Sequence, residues 1–253
     1  MSPILLPSPP RCGVLALGAV RWAGILSSEL GVQLFTQGTA VAFRFQKASC
    51  VAVGTFNMYI LHPQWLAKHE IIEPGTEVGI ETNLTQPGFR FRFPDRKATW
   101  NVTPNRLVIE SQDPGLDCGA AIARVLRILP ETPLFALGNN VHYRADLSEL
   151  EHLSAAIRDY PRTAAPASGQ SVARRTFHVA VKRTDLETVN LQVSFKEEEI
   201  ELACNVHTDV GKHDKPNEAA VAAAECFFDH RAECKALAQH FFGTSIDHDS
   251  TNT

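Results

Sequence analysis

Leu-Pro-Glu-Thr-Pro-Leu-Phe-Ala-Leu-Gly-Asn-Asn-Val-His-Tyr, residues 129 to 143, is the stretch on which the fold turns. Pro130 and Pro133 cannot donate a backbone hydrogen bond, so a helix arriving from the N-terminal side must stop there. Leu134 to Leu137 then reads as a short, fully buried strand, too uniformly apolar for one wet face. Gly138, Asn139 and Asn140 tolerate positive φ, which predicts a bulge or tight bend before Val141-His142-Tyr143 resumes an extended run. Asn139, Asn140, His142 and Tyr143 are therefore candidates to line a binding pocket at the strand's end. The same residues also read as a bulged strand whose amides bond locally.

Outward from this strand, helices are signalled on both sides. Asp113-Pro114 is a helix start, and Cys118, Ile122, Val125, Leu126 and Leu129 recur at helical spacing. On the other side Asp146 and Glu149 make a capping-box pattern. Leu147, Leu150, Leu153 and Ile157 follow as a stripe that ends near Tyr160-Pro161. The pattern L-P-x-T-P-x-x-A-x-G-x-N, Leu129 to Asn140, resembles a segment of small uncharacterised bacterial proteins. The resemblance covers a dozen positions and implies a bacterial or phage-related setting, with no activity attached.

Earlier in the chain the pattern is strand-rich. Val14 to Leu26 reads as a first strand or buried segment, and Gly31 to Gln46 as a hairpin turning at Gln37-Gly38. Ser49 to Leu61 is a further strand, and Pro63 to Lys68 one helical turn. After a short strand at Glu77 to Glu81, Phe89, Phe91 and Phe93 alternate with Arg90 and Arg92, placing rings on one face and guanidiniums on the other. Ala98 to Val102 and Arg106 to Glu110 form the next pair.

Beyond the proline- and serine-rich linker 161–173 comes a second meander. Phe177, Val179 and Val181 alternate, then Val189 to Phe195, then Ile200 to Val206. Asn217 is placed to cap a final helix from Glu218 to Phe242. The expected fold is α+β, with largely antiparallel sheets and three main helices packed on them. Residues 1–160 form a strand-rich part with two helices, 174–243 a three-stranded meander with a helix packed on it, and 244–253 a disordered tail. A loose echo joins the two halves.

A chain of 253 residues that is 44% hydrophobic can bury a real core. The net charge of −4 gives no global basic footprint for nucleic acid. Cysteines at 12, 50, 118, 204, 226 and 234 include no C-x-x-C pair, which fits reduced thiols in the cytoplasm. No segment has the length of a membrane span, so a soluble protein away from membranes is expected.

Three constellations can carry chemistry. His207, Asp209, His213 and Asp214 cluster in one loop and are candidate metal ligands. They read more simply as a solvated turn before a helix. Cys226, His230, Cys234 and His240 share the last helix, but four ligands over fourteen residues span about 21 Å and cannot reach one ion. Arg90 and Arg92, with Arg96 and Lys97 near them, could follow a phosphate backbone, or form a solvated strand face. No G-x-S-x-G, phosphate loop or dinucleotide fingerprint occurs, and no cofactor is expected. The sequence favours a non-enzymatic binding or assembly protein with a protein partner or self-association. A metal-dependent hydrolase or nuclease built on the 207–214 loop is the alternative, and a nucleic-acid-binding protein the second.

Overall fold

Leu134–Asp146, where a short strand and a bulge were expected, is one long strand at the centre of a ten-stranded sheet. The computed structural model describes residues 41–82, 87–146, 175–196, 199–242 and 244–246. The elements are β1 (Val41–Gly54), α1 (Pro63–Lys68), β2 (Gly79–Thr82), β3 (Phe89–Phe93), β4 (Ala98–Thr103), β5 (Arg106–Ser111), α2 (Cys118–Ile128), β6 (Leu134–Asp146), β7 (Arg175–Lys182), β8 (Glu187–Phe195), β9 (Glu199–Thr208), α3 (Pro216–Glu225), α4 (Phe227–Phe242) and β10 (Thr244–Ile246). The first strand and turn of the predicted hairpin, the helix after Asp146 and the linker 161–173 lie outside the described residues.

Strand order is β2-β3-β4-β5-β1-β6-β9-β8-β7, with β10 pairing parallel to the start of β1 and every other neighbour antiparallel. The fold is thus α+β, as the alternation of residues implied. The order is symmetric about the β1–β6 pair. Each half is a long central strand and three later strands that return to it hairpin by hairpin, followed by α2 in the first half and by α3 and α4 in the second. β5 matches β9, β4 matches β8, and β3 matches β7, while β2 is an addition outside β3.

Helices α2, α3 and α4 pack on one face. Cys118 of α2 lies against the Ala48 carbonyl of β1, and the Ala223 carbonyl and His230 ring meet Asn139 of β6. Between them lies the core of Ala48, Cys50, Val102, Leu107, Ile109, Ile122, Leu126, Leu137, Val141, Leu191, Val193, Leu202 and Phe227. The 56–72 segment covers the same side, with Leu66, Ile71 and Ile72 buried. The apolar area this layering removes from water is the main favourable term for the fold.

Several local expectations are corrected. Leu134 to Leu137 is not uniformly buried: Leu134 and Leu137 are, but Phe135 is 55% exposed. The register shift between Val53 and Gly54 leaves Phe135 without a partner on β1. No bulge falls at Gly138 to Asn140, because β6 pairs in unbroken step with β9 from Leu137 to Asp146. The bulge is on β1, where Gln46 is skipped between Phe45 and Lys47. That lets residues 41–54 run as one strand where two were expected, since no turn residue interrupts them.

Helix α2 starts at Cys118, capped by Asp117, whose carboxylate accepts from the Ala120 amide at 2.8 Å. Asp113 instead closes a turn on the Gly115 amide. Asn217 does not cap the final helix. Lys215 precedes Pro216 at its first turn, and the Asn217 amide donates to the Leu126 and Leu129 carbonyls at the end of α2. The final helix breaks at Cys226, so that α3 lies along α2 while α4 packs on the sheet. Gly119 sits in the crossing: a Cβ there would stand 2.0 Å from the Ala224 carbonyl oxygen. Thr244 to Ile246, placed in a disordered tail by the sequence, pair with Val41 to Phe43.

Candidate functional site

Strand β6 divides the four residues expected to share one pocket. Side chains alternate along an unbroken strand, so Asn139 and Tyr143 point into the core while Asn140 and His142 point to the opposite face. The alternation that defines the sheet is therefore what separates them.

On the core side, Asn139 is 4% exposed and His230 6%. The Asn139 amide nitrogen donates to the Ala223 carbonyl at 2.9 Å and to His230 Nδ1 at 2.8 Å. Burial pushes the His230 ring below its usual value, which keeps it neutral. The gap bounded by Asn139, Val141, Phe227, His230, Arg231 and Cys234 is a cavity of only about 10 Å³. Drug-sized ligands occupy sites of about 300 Å³ and upward, so this is a joint in the core and not a pocket. Burial raises Tyr143, and it raises the Cys118 thiol to about 12. Cys204 is raised first by its hydrogen bond to Cys234 and then by burial. These thiols stay protonated and are poor nucleophiles.

The face opposite the helices is different. Ser49 on β1, Asn140 on β6, Asn205 on β9 and Asn190 on β8 stand in direct register across four adjacent strands. They are joined in a row: Asn140 Nδ2 donates to Ser49 Oγ at 3.2 Å, Asn205 Nδ2 to Asn140 Oδ1 at 2.7 Å, and Asn190 Nδ2 to Asn205 Oδ1 at 3.3 Å. Gly138 adjoins the row, and a Cβ there would press on the Asn205 amide at 3.1 Å. His142 lies one step along β6 from the row, its ring held below the usual value by burial and then by Lys47. Asparagine is disfavoured in strands, so three in register is a local rule broken on one face.

Several charges on this face are paired. Lys47 reaches Glu110 at 2.8 Å, Arg92 reaches Glu81 at 2.6 Å, and Arg144 pairs with Glu199. Arg90 also faces Glu81, at 3.9 Å. The predicted basic strip is thus partly neutralised by β2, and Phe91 and Phe93 are buried on the other side of β3. Asn190 and Asn205 escaped the sequence reading, although each interrupts an apolar run, in Val189-Asn190-Leu191 and Cys204-Asn205-Val206.

The four candidate ligands of the 207–214 loop are not brought together in one group. His207 is exposed at the end of β9, Asp209 is held by Lys212 at 2.6 Å, and Asp214 is exposed. Among the described residues no three His, Cys, Asp or Glu side chains gather to hold an ion. Nor is any described helix long and apolar enough to cross a membrane. No known family matches the chain, and no curated protein resembles it significantly.

Proposed function

We propose that the chain is a non-enzymatic binding and assembly protein, cytoplasmic and part of a bacterial or phage-related system. It holds a protein partner on the face of the sheet opposite the helices. The observation that carries this reading is the Ser49–Asn140–Asn205–Asn190 row. Amides both donate and accept, so a half-exposed line of them offers neutral polar contacts to a partner's backbone or side chains. The ion pairs on the same face favour a partner recognised by hydrogen bonds over one recognised by phosphate charge. The buried thiols of Cys50, Cys118 and Cys204 are held protonated and are not placed to act as nucleophiles. The alternative readings, a hydrolase on the 207–214 loop or a nucleic-acid binder on Arg90 and Arg92, draw less support, because Asp209 and both arginines already have partners.

The test is to identify interacting proteins by affinity capture, purify one, and titrate it against the wild type and an Asn140→Leu, Asn205→Leu variant. The expected result is a defined stoichiometry and at least roughly tenfold weaker binding by the variant, the loss of about 1.4 kcal/mol. A partner that binds both proteins equally would refute the assignment of this face.

A further inference from the structure

We propose that strand β7 is a self-pairing edge, through which two copies of this chain join their sheets into one. The inference rests on the assembly reading above but uses a different surface. Among the described residues the sheet ends in β2 on one side and β7 on the other, and the two are not alike. β2 is four residues long, and its Glu81 is engaged by Arg90 and Arg92. β7 is eight residues long, pairs with β8 in unbroken register from Arg175 to Lys182, and contains no proline and no bulge. Natural edges are guarded by shortness, proline, bulges or inward charge, and β7 has none of these along its middle. Among the described residues its outer side has no strand partner.

The internal symmetry of the sheet marks the same place. β7 stands where β3 stands in the other half, and β3 carries an antiparallel strand, β2, on its outer side. Among the described residues no strand fills the matching slot beside β7. An antiparallel strand in that slot would continue the pattern.

The sequence of β7 selects its own copy as that strand. In an antiparallel pair with the two-fold axis at Val179, residues 176 to 182 are all matched. Val179 faces Val179, Phe177 faces Val181, His178 faces Ala180, and Thr176 faces Lys182. The apolar set Phe177, Val179 and Val181 lies on the helix side, opposite buried Val193, Leu191 and Val189 of β8. All three are half-buried. Pairing would bring them together directly across the junction, where cross-strand apolar contacts stabilise a ladder. Within residues 176 to 182 no like charges meet; beyond them Arg175 faces Arg183, which already pairs with Glu187 and Glu233 of its own copy.

The experiment is light scattering on size-separated full-length protein, with wild type, Val179→Lys, Val179→Glu and Ile80→Lys. The wild type is expected to be a dimer, as is Ile80→Lys, which alters the other edge. Val179→Lys and Val179→Glu each place like charges on the axis and are expected to dissociate at least about tenfold more readily. Mixed together they are expected to re-form a dimer, which shows that each is folded. Hydrogen exchange on the wild type gives a reading without substitutions: outward amides of β7 should be protected when concentrated and exchange on dilution. A wild type monomeric throughout the micromolar range, or a dimer broken by Ile80→Lys and not by the Val179 variants, would overturn the proposal. If a monomeric wild type still binds a partner through Asn140 and Asn205, this inference fails and the proposed function stands. If the β7 dimer forms but changing those asparagines loses no partner, the pairing stands and the proposed function fails.

Discussion

Asn139 Nδ2 donates to His230 Nδ1 across 2.8 Å, and the same nitrogen donates to the Ala223 carbonyl. One buried amide on the central strand therefore ties down both halves of the broken final helix. Replacing it leaves two buried acceptors without a donor, at about 1–3 kcal/mol for each group. Asn139→Ala should lose about 3 kcal/mol in urea unfolding. Asn140→Ala, one residue away on the wet face, should lose no more than about 1 kcal/mol, because water replaces the row.

The same contact gives stability a pH dependence. Accepting a hydrogen bond at Nδ1 fixes the neutral His230 ring with its proton on Nε2, and burial opposes charging it. Glu187 and Asp229 favour the charge, and Arg183 opposes it. The folded pKa lies below the unfolded value of about 6.5, so the unfolded chain binds the proton more readily. The contribution is complete above that value and is lost as the pH falls through it. Urea midpoints should drop between pH 7.5 and 5.5. His230→Gln, which keeps an acceptor for Asn139 and removes the titration, should flatten the slope. An unchanged slope would place the effect elsewhere, with His142 the next group to replace.

Gly119 provides a packing test. A methyl there would meet the Ala224 oxygen at 2.0 Å and the Phe227 Cβ at 2.6 Å, and neither is the end of a flexible side chain. Gly119→Ala should force α2 off the α3–α4 junction and cost about 3 kcal/mol. Gly115→Ala meets only the Asp113 carboxylate at 3.4 Å and should stay within about 0.5 kcal/mol of the wild type in thermal unfolding.

Thiol chemistry provides a fourth. Cys50, Cys118, Cys204 and Cys234 are free and buried, with each of the first three raised above the ordinary thiol value. Iodoacetamide at pH 7.5 should leave all four unmodified in the folded protein, read site by site by mass spectrometry. Labelling should begin with global unfolding in denaturant. Rapid labelling of any one in native buffer would contradict its burial.

Much of this architecture could be read from residue alternation. Phe91 and Phe93 against Arg90 and Arg92, Val189 to Val193, and Ile200 to Val206 each declare a strand with one buried face, and the structure places each so. What alternation conceals is which strand lies beside which. The row of Ser49, Asn140, Asn205 and Asn190 joins positions as much as 156 residues apart, and it exists only through register. The misread cap at Asp113 has a local cause: Asp113-Pro114 and Asp117 both offer a start, and the second gives the helix its aligned carboxylate. Phe135 misled for the opposite reason, since a run of apolar residues conceals a shift in pairing. The pocket expected at Asn139, Asn140, His142 and Tyr143 dissolved because an unbroken strand sends neighbours to opposite sides.

The position of β6 between β1 and β9 ties the fate of the two halves together. Cleavage between Asp146 and Arg175 would strip a long ladder from each product, leaving both with raw backbone along a strand meant for the interior. Neither fragment is then a module that can be lost, exchanged or inherited alone, and a gene encoding only one of them would yield material prone to clump until its missing counterpart arrived.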